Sequence, residues 1–392
     1  MGSSISSMSE PAVWHIIASE YPPQRGGVSD YTHVVAQALV AAGDEVHVWC
    51  PPASRVTAQV PGIAVHRELG ALGRSDLARL DQLLDPFPAP RRLLIQWVPH
   101  GFGFNAMNLW FCLWLLARAR RRHDRIEIVV HEPFLRITGG SWRQSAAAVV
   151  QRLMTVVLLG GALRVLVTIP AWEKLWRPYA LGRPVPFHHA PVPSTVSMVH
   201  DPSRVQSVRA TYAAGAAPLV GHFGTERHGA TATITRTLSA ILDARPDVQL
   251  LLLGRGGLEL REMLVGADPA RAVRVHATGA LPAHELSLHL SACDVMVHPY
   301  ASGVNGRHTS VVASLAHGRA VVTTVGTLTE PFWLESGAVR MSRPDDAAEA
   351  SRLALELLSE TEERECLGRA ARALYEGRFD VAHLVATLRS AE

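Results

Sequence analysis

The sequence of 392 residues is almost without lysine: Lys174 stands alone, so nearly every basic side chain is an arginine. That scarcity excludes a phosphate-binding loop of the Gly-Lys-Ser/Thr kind. A Schiff-base mechanism would have to use Lys174, whose aromatic, helix-like setting between Trp172 and Trp176 argues against it. Cysteine is scarce as well. Cys50, Cys112, Cys293 and Cys366 form no Cys-x-x-Cys pair and have no histidine at zinc-ligand spacing. A reduced, cytosolic chain is therefore expected. Net charge is small, +3, which argues against a dedicated nucleic-acid binder with its basic stripe. The Ser-rich start lacks the basic region and apolar run of a secretory signal, and reads as an addition ahead of a start near Met8.

What is abundant is apolar. Such residues make up 48% against 19% charged, enough for a large core, and the length suggests two domains. Val13 to Ala18 reads as a buried strand, followed by a Pro- and Gly-containing loop, a helix from about Val28 to Ala42 closed by Gly43, and a strand from Glu45 to Trp49. Strands at 92–97, 127–131 and 164–168 alternate with helices at 108–122 and 142–159. Continuous Val/Ile/Leu strands imply a parallel sheet covered on both faces. The texture turns Pro-rich near 184–202, and the alternation then restarts with strands at 218–223, 248–253, 273–276, 295–299 and 320–324 and helices at 231–244, 284–291 and 309–317. The expected division is a first Rossmann-like domain over 11–190, a linker over 191–217, a second Rossmann-like domain over 218–370, and a C-terminal helix in 371–392 that returns toward the first. Ligands of such sheets lie beyond the carboxyl ends of the strands.

Four segments in order carry a resemblance. They are Glu20-Tyr21-Pro22-Pro23-Gln24-Arg25-Gly26-Gly27-Val28-Ser29-Asp30-Tyr31, then Val129 to Pro133, then Val220 to Gly224, and the stretch from Gly279 to Thr324. Over residues 13 to 330 the chain resembles the retaining glycosyltransferases of family 4. The resemblance implies an α/β fold of the GT-B type, two facing Rossmann-like domains with parallel sheets and an interdomain cleft. It also implies a nucleotide-sugar co-substrate, and no metal or other cofactor is expected, since no carboxylate cluster appears near the diphosphate loops. The common family pattern places two glutamates, eight positions apart, across the donor loop and helix, one on the sugar and one on the ribose. Here those positions read Asn305 and Ala313. Gly303-Val304-Asn305-Gly306-Arg307-His308-Thr309-Ser310 resembles a variant loop found in a divergent branch.

The candidate site residues follow from these positions. Gly303 to Ser310 precedes a helix, where Thr309 or Ser310 can cap and free N–H groups favour a pyrophosphate. Gly306 permits close approach, and Arg307 can hold phosphate oxygens in a bidentate way. His222, Gly224 and Arg227 follow the first strand of the second domain, where a cation would neutralise the departing diphosphate. Gly254 and Arg255 are weaker donor-side candidates, His298 ends a buried strand, and Glu330 is a carboxylate able to offset the missing glutamates. On the first domain, the N–H groups of Gly26 and Gly27 can face the donor phosphate or the acceptor. Asp30, Tyr31 and His100 are acceptor-side candidates. By the resemblance, His131 points at the donor sugar, with Glu132 beside it. His131, Glu132, Arg227 and Arg307 are the catalytic candidates. The helix Asn108 to Arg122 is too short to span a bilayer. It reads either as a buried helix with a solvated basic end, or as a surface resting on an anionic membrane near a lipid-linked acceptor.

Retaining transfer of a hexose-type sugar is the expected activity. A catalytically inactive binding subunit, motivated by Asn305 and Ala313, and a nucleotide-sugar epimerase stay open beside it. A dehydrogenase does not fit, because the first loop lacks Gly-x-Gly-x-x-Gly and no acidic residue closes the second strand.

Overall fold

The computed structural model describes residues 11–53, 60–103, 106–137, 141–224 and 231–390. The chain divides into two compact units, Met1–Pro191 with Val381–Glu392, and Val192–Asp380.

In the first unit the elements run β1 (Val13–Ala18), α1 (Gly27–Ala41), β2 (Glu45–Trp49), β3 (Ile63–His66), α2 (Arg74–Leu84), β4 (Arg92–Trp97), α3 (Leu109–Arg121), β5 (Arg125–Val130), α4 (Trp142–Leu159), β6 (Ala162–Val167), α5 (Pro170–Trp176) and β7 (Phe187–His189). Every strand pair is parallel, in the order β3-β2-β1-β4-β5-β6-β7. Gly43, just past α1, takes φ +91°, which lets the chain turn straight into β2. Alternate strand residues Ile17, Trp49, Ile95, Trp97, Ile128 and Val167 form one core with Phe111 and Leu115 of α3 and Met154 and Leu158 of α4.

The opposite face holds a buried charge cluster. The Glu127 carboxylate lies 2.7 Å from Arg92 on one side and 2.7 Å from Arg164 on the other. Both arginines also donate to the Leu388 carbonyl, at 2.7 and 2.6 Å. Leu388 closes the C-terminal helix Val381–Arg389, so two cations meet the negative end of that helix and its last carbonyls are satisfied.

In the second unit the order is α6 (Pro202–Tyr212), β8 (Leu219–Phe223), α7 (Thr231–Ala244), β9 (Gln249–Leu253), α8 (Gly256–Ala267), β10 (Val275–Gly279), α9 (Ala283–Ala292), β11 (Val295–His298), α10 (Thr309–Ala316), β12 (Ala320–Thr324), α11 (Pro331–Glu335), β13 (Arg340–Ser342), α12 (Ala347–Ser359) and α13 (Thr361–Leu374). Its parallel sheet has the order β10-β9-β8-β11-β12-β13. Period-two alternation sorts the strands into two cores. Leu251, Leu253, Met296 and Val321 join the α9, α10 and α13 side, while Leu250, Leu252, Val295 and Val322 join the α7, α8 and α12 side. Of residues 191–217, where a linker is expected, Val192 onward belong to this unit and carry α6. Asp201 caps α6 by accepting from the Arg204 N–H at 3.0 Å, Pro202 opens it, and Arg209 pairs with Asp294 at 2.9 Å.

Candidate functional site

The strand order of the second unit reverses between β8 and β11, the switch point where an open α/β sheet offers a crevice. β8 delivers His222 and Gly224 there. The next residues, 225–230, hold the candidate Arg227 and lie outside the described residues. β11 delivers His298, followed by the loop 299–308 and α10.

That loop is held by backbone. Gly303 has φ +82°, and a Cβ added to it would lie 2.1 Å from the Gly326 nitrogen. A Cβ on Gly326 would lie 2.5 Å from the Ser302 carbonyl, so the loops after β11 and β12 touch main chain to main chain, and both positions need glycine. The Val304 N–H donates to Thr324 at 2.8 Å and the Leu328 N–H to Ser302 at 3.0 Å. Gly306 donates its N–H to both oxygens of Glu330, at 3.0 and 3.2 Å, and its carbonyl accepts from Val192 at 2.8 Å. Glu330 is buried and also accepts from the Trp333 indole at 3.0 Å. Burial raises its pKa, and the Gly306 and Trp333 hydrogen bonds oppose the shift.

Asn305 is fully buried and turned inward. Its Oδ1 accepts the Arg307 N–H at 3.3 Å. Ala313 is fully buried in the core under α10. The two positions where the family pattern has carboxylates therefore do internal work here. Arg307 is half-buried on the rim. His308 stacks on Tyr300 with ring centroids 3.6 Å apart, and its Nδ1 accepts the Asn305 N–H at 3.1 Å. Burial, then the Arg307 charge, pushes the His308 pKa down to about 3, so this ring is neutral. Thr309 or Ser310 is the cap of α10 expected from the sequence. Instead His308 takes the cap position, no side chain caps the helix, and the Ser310 hydroxyl bonds Tyr300 Oη at 2.8 Å.

His222 donates from Nδ1 to the Val297 carbonyl at 2.7 Å, and its ring lies 5.5 Å from that of His298. His298 is buried. The Ser314 hydroxyl donates to the Ser310 carbonyl at 2.9 Å, so it accepts from His298 Nε2 at 2.9 Å. This leaves His298 Nδ1 as a bare nitrogen with no partner among the described residues. Burial above all drives its pKa well below the usual range.

The segment Gly254-Arg255-Gly256-Gly257 is a turn into α8. Gly254 takes φ +86°, and a Cβ on Gly257 would lie 2.6 Å from the Leu252 carbonyl, so this glycine lets the helix pack on its strand.

On the first unit the reversal lies between β1 and β4. The start of α1 already holds an anion. Glu20 accepts the Ser29 N–H at 3.0 Å, and a Cβ on Gly26 would lie 2.0 Å from the Glu20 Oε1. Gly26 is thus spent on an internal carboxylate, while around Gly27 there is open space. Asp30 is exposed in the first turn. Tyr31, a candidate acceptor contact, is buried with its ring edge-on to His131 at 4.6 Å, and burial raises its pKa. His131 bonds Gln96 Oε1 through Nε2 at 2.8 Å and is fixed by its backbone to Trp97 and Trp172. Burial lowers its pKa to about 4, against the opposing charge of Glu132. Glu132 pairs with His100 at 3.3 Å in an exposed position.

The structure therefore groups His222, His298, Asn305, Gly306, Arg307, His308 and Ser310 in the second unit, and Tyr31, His100, His131 and Glu132 in the first. Among the described residues no group of three or more His, Cys, Asp or Glu side chains is placed to hold a metal ion. A separate cavity lined by His200, His317, Arg319 and Arg372 opens at the amino ends of the strands and contains none of the candidates.

The second unit carries a family signature. Residues 217–360 match the family model described as glycosyl transferases group 1. The chain has the GT-B fold, and its second unit is similar to the group 1 glycosyltransferase domain. Solved structures similar over the whole length show the same fold. Sucrose-phosphate synthase from Thermosynechococcus elongatus has TM-score 0.68 and 18% identity, covering 96% of this chain and 97% of that one. Anabaena HepE, solved with UDP and glucose, has TM-score 0.67 and 14% identity, covering 96% and 98%. WaaG, a glycosyltransferase involved in lipopolysaccharide biosynthesis, has TM-score 0.65 and 13% identity, covering 96% and 100%. No curated protein sequence matches the chain.

Proposed function

We propose that this chain is a retaining glycosyltransferase of family 4 type that uses a nucleotide-sugar donor. The observation that carries the reading is the Gly306–Arg307 turn. It is locked by Glu330 at the uncapped start of α10, beyond the carboxyl end of β11, inside the glycosyltransferase match. A diphosphate leaving group needs positive charge and N–H donors where its oxygens develop charge. The α10 start and Arg307 supply both, and Arg227 is a second cation in the same proposal. HepE has been solved with UDP-glucose, which supports a uridine donor as the first to try.

In the proposed reaction the acceptor hydroxyl attacks the anomeric carbon on the face the diphosphate leaves. The bond to the phosphate oxygen breaks, and that oxygen takes the hydroxyl proton. Neutral His131 hydrogen-bonds the sugar. Asp30, His100 and Glu132 serve the acceptor side. The test is incubation with UDP-, GDP- and ADP-sugars and mixed acceptors, followed by NMR of the product. Transfer with an unchanged anomeric configuration is the expected outcome, and an inverted product refutes retention.

One observation favours a second reading. With Asn305 and Ala313 both buried in place of the glutamate pair, the chain can bind a nucleotide without turning it over. Tight nucleotide binding with no transfer to any acceptor would select that binding role.

A further inference from the structure

Among the described residues no helix is long and apolar enough to cross a membrane. Yet the first unit exposes large apolar side chains in one stretch of its fold. Trp142 is 77% exposed, Ile137 58%, Val149 57% and Trp110 52%, with Leu153 and Leu135 also exposed. On α4 the spacing of Trp142, Val149 and Leu153 puts them on one helix face, opposite the buried Ala148, Met154 and Leu158. The loop before α4 lies beside the turn that leads into α3. The buried Gln151 side chain accepts the Leu135 N–H at 2.8 Å and donates to the Ala106 carbonyl at 3.1 Å, tying the loop before α4 to the turn before α3. Leu175 and Leu181 are also exposed elsewhere in this unit, but a clustered exposed set marks a contact surface.

The loop before α4 and α4 itself carry arginine and no carboxylate, although Glu132 just before that loop and Asp76 on α2 have the opposite sign. No Asp or Glu occurs between Asp85 and Asp124, nor between Glu132 and Glu173. The arginines within reach border the apolar side chains: Arg74 lies over Trp110 at 3.9 Å, and Arg143 lies 5.6 Å from the Trp142 ring. Arg136 stands exposed between Leu135 and Ile137. Exposed aromatic and aliphatic side chains with arginines among them, on a loop and helix that hold no carboxylate, match a lipid interface carrying negative headgroups. A second copy of this chain would set arginine against arginine.

We infer that this face of the first unit, built by the starts of α3 and α4, docks on the surface of an anionic bilayer without spanning it. The inference stands apart from the transfer reaction.

The test is co-sedimentation of the full chain with vesicles of equal parts phosphatidylglycerol and phosphatidylcholine, against vesicles of phosphatidylcholine alone. Binding to the anionic vesicles that weakens with added salt is expected. The double variant Ile137→Ser/Trp142→Ser should lower the partition coefficient by at least about tenfold, because both side chains lose their burial in the interface. Arg136→Glu/Arg143→Glu should abolish the preference for anionic lipid. All four positions are exposed, so the melting temperatures should stay near the parent's. Absence of binding, equal binding to both vesicles, or binding indifferent to both double variants overturns the inference. So does light scattering that shows a dimer which Trp142→Ser converts to monomer.

Discussion

Glu330 receives the Gly306 N–H on both carboxylate oxygens, 24 positions away along the chain, and fixes the turn that presents Arg307. The carboxylate is buried, so its hydrogen bonds take the place of water. Its task is to shape the loop after β11, with Trp333 holding it from the other side.

Removing that acceptor leaves buried donors unpaired. Glu330→Ala should lower stability by about 2–4 kcal/mol, from two donors at roughly 1–3 kcal/mol each with some relaxation. Nucleotide affinity should fall at least about tenfold. Glu330→Gln keeps one oxygen and should fall between Glu330→Ala and the parent. Urea unfolding and calorimetric titration check both quantities. An Ala variant as stable as the parent would contradict the role given to Glu330.

Gly303→Ala tests the contact between the loops. The positive φ alone costs about 1–3 kcal/mol, and the added carbon collides with the Gly326 backbone rather than with a side chain that can move. The variant should melt lower and lose nucleotide affinity together. Gly27→Ala, with open space around it, should cost well under about 1 kcal/mol, which thermal melts of the two variants will show.

The C-terminal helix gives a third prediction. Arg164→Met leaves Glu127 with one cation and the Leu388 carbonyl with one donor fewer. Breaking a buried pair by removing one partner costs roughly 3–5 kcal/mol. Hydrogen exchange should show residues 381–389 opening first. Unchanged protection of that helix would contradict the account.

Stability should depend on pH through buried neutral histidines. His15 is held down to about 3 by burial and then by the His47 and His66 charges, and His298 lies well below its usual range. Both are depressed relative to an unfolded value of about 6.5. The unfolded chain therefore binds more protons below that value. Their contribution is complete above about pH 6.5 and is lost as pH falls from there through the folded values. Each such group adds a slope on the order of 1.4 kcal/mol per pH unit inside the window. Urea midpoints should be level near pH 8 and fall steadily toward pH 5, and a flat profile would contradict this.

Much of the fold was legible because the strands are short runs rich in Val, Ile and Leu with Gly or Pro in many of the loops beyond them. β1, β2, β4, α4, α7 and β12 match the expected bounds. Other elements were not legible. α2 is short and mostly polar, with its core face carried by Leu77, Leu80 and Leu84 alone, and α6 buries none of its side chains. Gly254 and Arg255 are donor-side candidates by sequence, and the packing of α8 on β9 that Gly257 permits was not visible there. At the site, position along the chain placed His222, His298 and the 303–310 loop at strand ends. It did not place Tyr31 in the core, and it did not reveal Glu20 at the start of α1 or Glu330 beneath Gly306. Those depend on which backbone donors a folded loop leaves open, which no local pattern encodes.

The central claim is that the loop after β11 and the start of α10 bind the diphosphate of a nucleotide-sugar. Calorimetric titration of the chain with UDP, GDP, ADP and dTDP tests it most directly, with Arg307→Ala measured beside the parent. The account predicts that one nucleotide binds selectively, and that the variant, melting at the parent's temperature, binds it at least about tenfold more weakly for want of a charge-assisted phosphate contact. No binding of any nucleotide at millimolar concentration, or binding that Arg307→Ala leaves unchanged, would contradict it.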